Sequence, residues 1–167
     1  DGTRAELGLR DTLARAHEIR EVRDDSPLVT IALHRLLLAI LHRSLGPPDL
    51  ESWADIWNRE RFSEKPLSTY LDRWRDRLFL VHPRYPFFQV ARMDGAKPVS
   101  VWRLALVQAN NATLFDHRTE HEMPGLPPAQ VTRLLVGYQA FAVGGGVSSP
   151  FNFMHGPLTR EKGFLVI

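Results

Sequence analysis

Apolar residues recur at intervals of three and four positions along most of the chain, which is the pattern of amphipathic helices. The longest apolar stretch follows Ser26 and Pro27 and stops at Gly46. A capping serine, a first-turn proline and a terminal glycine predict one helix over 27–45. His34 and His42, each followed by an arginine, interrupt the stretch, so we expect the central buried helix of a globular domain and no membrane span.

Four shorter helices are predicted by the same spacing, over Leu7–Ile19, Leu50–Arg59, Glu64–Leu78 and Pro127–Ala142. Their tryptophans, Trp53 and Trp57 among them, are expected in the core. After Phe79, prolines at 83 and 86 exclude a helix, residues 99–108 are expected to form a short helix or strand, and residues 109–125 are polar and irregular. A turn-rich tail with a strand-like run follows from 147. The predicted class is α+β, a mostly helical single domain over 1–167 with a few short strands.

Composition limits the chemistry that this chain can carry. It has 167 residues, 44% of them hydrophobic, which is enough to bury a core, and it has no cysteine. Disulfide scaffolds, thiolate zinc sites, cysteine nucleophiles and iron–sulfur clusters are therefore excluded within these residues. The net charge is only +2, and three of the 21 basic residues are lysines. Arginine suits phosphate recognition, but GC-rich coding explains the excess equally well.

Catalytic motifs are weak. The sequence has no GxSxG, Walker A or GxGxxG motif. His117, Glu120 and His121 have a spacing that could hold a metal on a helix, which leaves a small metal-dependent hydrolase as one alternative. They lie in a polar segment just before Pro124 and Gly125, so a solvated loop is the favoured interpretation.

Two loop features point to binding instead. Gly144, Gly145 and Gly146 follow the last predicted helix, where they form either a flexible linker or a backbone strip that fits a narrow groove such as the DNA minor groove. Phe115 stands alone in a polar loop, either as an anchor onto the domain or as a ring that stacks on a base. If the glycines are a linker and the aromatic residues are core, the domain is a purely structural helical scaffold, which is the other alternative.

The order of these features resembles the CasA family, the large subunit of the type I-E CRISPR surveillance complex Cascade. The matching features are the apolar helix 27–45, the His82–Gln89 segment, the Ala109–Asp116 loop with its phenylalanine, and the Gln139–Gly146 segment. The resemblance covers most of residues 28–167. It implies the N-terminal domain of a longer, two-domain subunit, and both ends of the sequence look cut.

The resemblance implies a non-catalytic nucleic-acid-binding subunit for antiviral defence, cytoplasmic, with no cofactor, no metal and no membrane contact. Such a subunit recognises the protospacer-adjacent motif in double-stranded DNA, docks near the 5′ handle of the guide RNA, contacts other Cascade subunits and recruits a helicase–nuclease. The resemblance assigns recognition of the motif to Gly144, Gly145 and Gly146. It assigns docking to Phe115, with Asn110, Asn111 and Asp116 beside it.

The chain departs from the family pattern in several places. Ala142 precedes the glycine run and Ser148 follows it, where the family is commonly richer in glycine. This leaves the motif preference open. A cysteine pair of some relatives is absent, so no metal site is carried over. The family's wedge, basic finger and C-terminal helical bundle are not present in these 167 residues.

Overall fold

The computed structural model describes residues 3–91, 100–105 and 125–141, together with the backbone of 147–148 and 151–152. Within these residues five α-helices occur in chain order: α1 Leu9–Ala14, α2 Pro27–Leu45, α3 Leu50–Trp57, α4 Glu64–Arg73 and α5 Pro128–Phe141. Three 3₁₀ turns lie at Ala16–Glu18, Arg75–Arg77 and Val101–Leu104. The first two divide the helices predicted over 7–19 and 64–78, each of which is shorter than its apolar pattern suggested.

Helix α2 begins and ends where its sequence predicts. The Ser26 hydroxyl accepts a hydrogen bond of 3.5 Å from the backbone N–H of Val29, and Pro27 occupies the first turn. Gly46 follows in the left-handed region with φ 51°, and its N–H donates to the carbonyl of His42 at 3.0 Å. A glycine adopts this conformation at little cost, so the helix stops there.

The core forms where α2 packs between α5 and α4, with α1 against α4. Ala32, Leu36 and Ile40 supply the buried row of α2. The other buried residues of this cluster come from α1, α4, the segment after α4, and α5: Leu13, Leu67, Leu71, Phe87, Val136 and Ala140. Gly137 brings α5 very close to α2, since a Cβ at this position would lie 2.9 Å from Cγ2 of Val29.

The remaining side of α2 is more exposed than expected. Ile31 and Leu38 are 51% and 54% exposed, beside the exposed His34, Arg35 and His42. In the described part of the chain, α2 is the one helix that is long and apolar enough to cross a membrane, with a mean hydropathy of 1.5. Its buried row shows that it is also the core helix of this domain, as its sequence predicted.

The expectation that the tryptophans of α3 belong to the core is wrong. Trp53 and Trp57 are 44% and 74% exposed, and α3 buries none of its residues. The two indole rings instead stack on each other, with centroids 5.4 Å apart. An amphipathic stripe therefore exists on α3, but the rest of the described domain does not cover it.

The predicted helical character is confirmed. Strands β1 Val147–Ser148 and β2 Phe151–Asn152 pair in antiparallel fashion, with Val147 opposite Asn152. Two residues a strand are too few to establish an α+β class, so that class, like the single-domain boundary of 1–167, stays a prediction.

Candidate nucleic-acid interface

The segment after α4 forms a tight, internally bonded loop. Pro83 and Pro86 prevent a helix here. Nδ1 of His82 accepts hydrogen bonds from the backbone N–H groups of Tyr85 at 2.9 Å and Arg84 at 3.3 Å. The histidine therefore replaces backbone hydrogen bonds that a regular element would supply, and it sets the direction of the loop.

The second half of this loop closes on the first. The N–H of Phe87 donates to the carbonyl of Phe79 at 2.9 Å, and Phe87 is buried in the core. Nε2 of Gln89 donates to the carbonyls of Leu80 at 2.7 Å and Phe87 at 3.2 Å. Phe88 adopts φ 53°, which a bulky residue tolerates only when its surroundings hold it there.

A side chain of α5 joins this loop to the helix that precedes the glycine run. Nε2 of Gln139 donates a hydrogen bond of 2.9 Å to the carbonyl oxygen of Phe88. Gln139 lies in the last turn of α5, which ends at Phe141, and Gly144 follows five residues after Gln139. The His82–Gln89 loop therefore fixes the end of α5, from which the chain enters the glycine run.

Rings and guanidinium groups stack where the end of α4 and the following 3₁₀ turn meet this loop. The guanidinium of Arg77 lies 4.3 Å from the ring centroid of Tyr85 and 5.6 Å from that of Trp74, which Arg73 also contacts at 5.5 Å. His82 stacks on Tyr85, with centroids 5.8 Å apart and planes at 12°, and Phe79 lies 6.5 Å from His82. We call the following six residues the arginine–aromatic stack: Arg73, Trp74, Arg77, Phe79, His82 and Tyr85.

Some arginines elsewhere in the described domain are paired with carboxylates. Arg133 on α5 donates to Asp24 at 2.9 Å and to Glu6 at 2.7 Å, and so holds the N-terminal segment against α5. Arg15 donates to Glu18 at 2.8 Å. This hydrogen bond and the attraction between the two charges lower the pKa of Glu18 and raise the pKa of Arg15.

The seven residues predicted from the sequence to contact nucleic acid all lie outside the described residues. They are Asn110, Asn111, Phe115, Asp116, Gly144, Gly145 and Gly146. His117, Glu120 and His121, the candidate metal ligands, lie outside them as well. Within the described ranges, no group of three His, Cys, Asp or Glu side chains could hold a metal ion.

Sequence reasoning missed the arginine–aromatic stack. Its signal was present as arginines that alternate with other residues from Arg73 to Arg77 and recur at Arg84, beside Trp74 and Tyr85. Spacing alone placed the tryptophan in a helix stripe, because nothing in the chain's linear order shows that Tyr85 returns to cover Arg77.

Comparison with known proteins places the chain in one family. A family model described as CRISPR-associated protein Cse1 matches residues 1–166. The chain is 46% identical over 147 residues to the CRISPR-associated protein CasA/Cse1 of Thermus thermophilus, which covers 86% of this chain and 29% of that protein.

Two solved structures have the same fold. The structure of Thermus thermophilus CasA (Cse1) matches with a TM-score of 0.75 and 36% identity, over 92% of this chain and 31% of that one. A chain of a structure called "CRISPR RNA-guided surveillance complex" matches with a TM-score of 0.72 and 25% identity, over 91% of this chain and 35% of that one. The chain thus spans about a third of the length of these relatives.

Proposed function

Because the chain belongs to the CRISPR-associated Cse1 (CasA) family, we propose that it is part of a non-catalytic subunit of an RNA-guided surveillance complex, which tests double-stranded DNA for a protospacer-adjacent motif. The family match over residues 1–166 is the observation that carries this proposal, and the likeness to a chain of a surveillance complex supports it. Its partners are the other Cascade subunits, the guide RNA, the target duplex and a helicase–nuclease recruited after binding. Such a complex works in the cytoplasm, where invading DNA is met.

In this proposal the motif is read by Gly144, Gly145 and Gly146 from the minor groove. That groove is about 6 Å wide, so a strip of backbone without side chains is well suited to it. Minor-groove readout distinguishes base pairs only coarsely, which suits tolerance of several related motifs. The hydrogen bond from Gln139 to Phe88 supports the assignment, since it anchors the last turn of α5 at a residue five positions before Gly144.

Docking onto the guide RNA is proposed for Phe115, with Asn110, Asn111 and Asp116 beside it. An aromatic ring in a polar loop gains about 1–3 kcal/mol when it stacks on an unpaired base. Amide and carboxylate groups next to it suit base edges and ribose hydroxyls.

A leucine at position 145 tests the motif-reading proposal. In the reconstituted complex, Gly145→Leu is expected to lower affinity for a motif-bearing duplex towards the affinity for a motif-free duplex, because the side chain obstructs the groove. Gly125→Leu is the matched control, since a Cβ at Gly125 meets no atom within 4 Å and the residue is exposed. Equal motif preference for Gly145→Leu, Gly125→Leu and the unmodified protein would contradict the proposal.

A further inference from the structure

Positive charge is concentrated in one segment of this nearly neutral domain. Residues 73–91 contain four arginines and a single acidic residue, Asp76, and so carry a net charge of +3 where the whole chain carries +2. Arg73, Arg75, Arg77 and Arg84 are all exposed. The remainder of the chain therefore has a net charge of −1, although exposed arginines such as Arg35 and Arg43 occur there as well.

Carboxylates do not neutralise these arginines. Among the described residues, no Asp or Glu oxygen lies within 4.0 Å of the guanidinium of Arg73 or Arg77, whereas Arg10, Arg15 and Arg133 each have such a partner. Two uncompensated cations on one indole ring repel each other, and an external anion relieves that repulsion.

Stacking on rings leaves the guanidinium edges available. A guanidinium that lies over an aromatic face keeps its in-plane N–H groups for hydrogen bonds, and the flat ring restricts its orientation in advance. Arg77 is held in this way by both Trp74 and Tyr85. The edges of Arg73 and Arg77 donate no hydrogen bond to another described residue. This combination of a fixed plane and free donors is what bidentate phosphate binding requires.

We propose that Arg73 and Arg77 of the arginine–aromatic stack bind the phosphate backbone of duplex DNA. The inference rests on the proposed function, which supplies the duplex. A double helix presents one negative charge per 1.7 Å or so of its axis, and two adjacent cations fit such a regular row of phosphates. The contact is independent of sequence: it adds affinity, and the glycine run adds the preference for a motif.

The salt dependence of DNA binding tests this proposal. The reconstituted complex with the full-length subunit is titrated with motif-bearing and motif-free duplexes between about 50 and 200 mM salt, the range over which phosphate contacts dominate the change. For Arg73→Gln with Arg77→Gln, the slope of log K against log salt is expected to fall in magnitude by about 1.8, since each phosphate that is no longer neutralised removes about 0.9. Affinity falls equally for both duplexes, so their ratio is unchanged.

Arg15→Gln is the matched control, because it removes an exposed arginine whose charge Glu18 already compensates. Its slope is expected to equal that of the unmodified complex. The inference would be overturned if the slope of log K against log salt were unchanged in the double variant. It would also be overturned if Arg15→Gln lowered the magnitude of that slope as much as each substitution in the double variant does. So would failure of the double variant to join the RNA-bearing complex, which would assign the stack to RNA or to another subunit. Loss of motif preference by the unmodified complex would instead count against the proposed function.

Discussion

Gly137 sets how closely α5 approaches α2, and its replacement by alanine tests the packing of the domain. A Cβ at this position lies 2.9 Å from Cγ2 of Val29, a distance that real Cβ contacts essentially never show. Val29 is buried, 3% exposed, and its β-branched side chain has few alternative rotamers in a helix. One of the two helices therefore has to move to accommodate Gly137→Ala.

Two opposing effects decide the size of the change in stability. Alanine is favoured over glycine inside a helix by about 1 kcal/mol, which would stabilise the variant. Overpacking a well-filled contact costs about 1–3 kcal/mol. We expect overpacking to win, with a net loss of about 1 kcal/mol in the free energy of unfolding and a fall of about 2–4 °C in Tm for a chain of this size.

Urea unfolding of four proteins measures this: the unmodified chain, Gly137→Ala, Val29→Ala and the double variant. In the Val29→Ala background the conflicting methyl group is gone, so Gly137→Ala is expected to stabilise rather than destabilise. This change of sign is the coupling that a direct contact produces. Stabilisation by Gly137→Ala in the unmodified background, or the same effect in both backgrounds, would refute the close contact between the helices.

Three further outcomes follow from the contacts and proposals above. Gln139→Leu is expected to lower the free energy of unfolding by about 1 kcal/mol, because the Phe88 carbonyl loses its donor, and urea unfolding indistinguishable from the unmodified chain would argue against that anchor. Phe115→Ala is expected to weaken incorporation into the guide-RNA complex, which a pull-down with labelled RNA measures; unchanged incorporation would count against docking there. NMR titration is expected to place the pKa of Glu18 below its ordinary value, and the pKa is expected to rise in Arg15→Gln. Because the pKa of Glu18 is lower in the folded state than in the unfolded state, the pair stabilises the fold above the unfolded pKa. This stabilisation is lost as the pH falls through the folded pKa. An unchanged pKa in Arg15→Gln would contradict the pairing.

Local signals predicted the helical scaffold well because they are strong where they occur. The span of α2 was predicted residue for residue, since Ser26, Pro27 and Gly46 each act on the backbone beside them. The boundaries of α3 and α5 were within two residues for the same reason. Helix α4 was overestimated, because an apolar residue at Trp74 continues the periodicity while the backbone changes to a 3₁₀ turn.

Long-range arrangement was not predictable from the chain's linear order. An amphipathic stripe shows which face of a helix is apolar but not whether another element covers it, so the exposure of Trp57 was missed. The hydrogen bond from Gln139 to Phe88 joins residues 51 apart in the sequence, and no periodicity reveals it. The contact of Arg77 with Tyr85 depends in the same way on a loop that returns to α4.

The functional prediction came from the order of several weak motifs, and the family assignment is confirmed by the match over residues 1–166. The glycine run and the loop with Phe115 lie outside the described residues, so the roles proposed for them rest on that family relationship.

The most direct test of the proposed function compares the guide-RNA complex assembled with and without this subunit. Both are titrated at one fixed salt concentration with two duplexes that differ only in the protospacer-adjacent motif. The account predicts that the complex with the subunit binds the motif-bearing duplex at least tenfold more tightly, a difference of about 1.4 kcal/mol, and that the complex without it binds the two duplexes equally. A motif preference that persists when the subunit is left out would contradict the account.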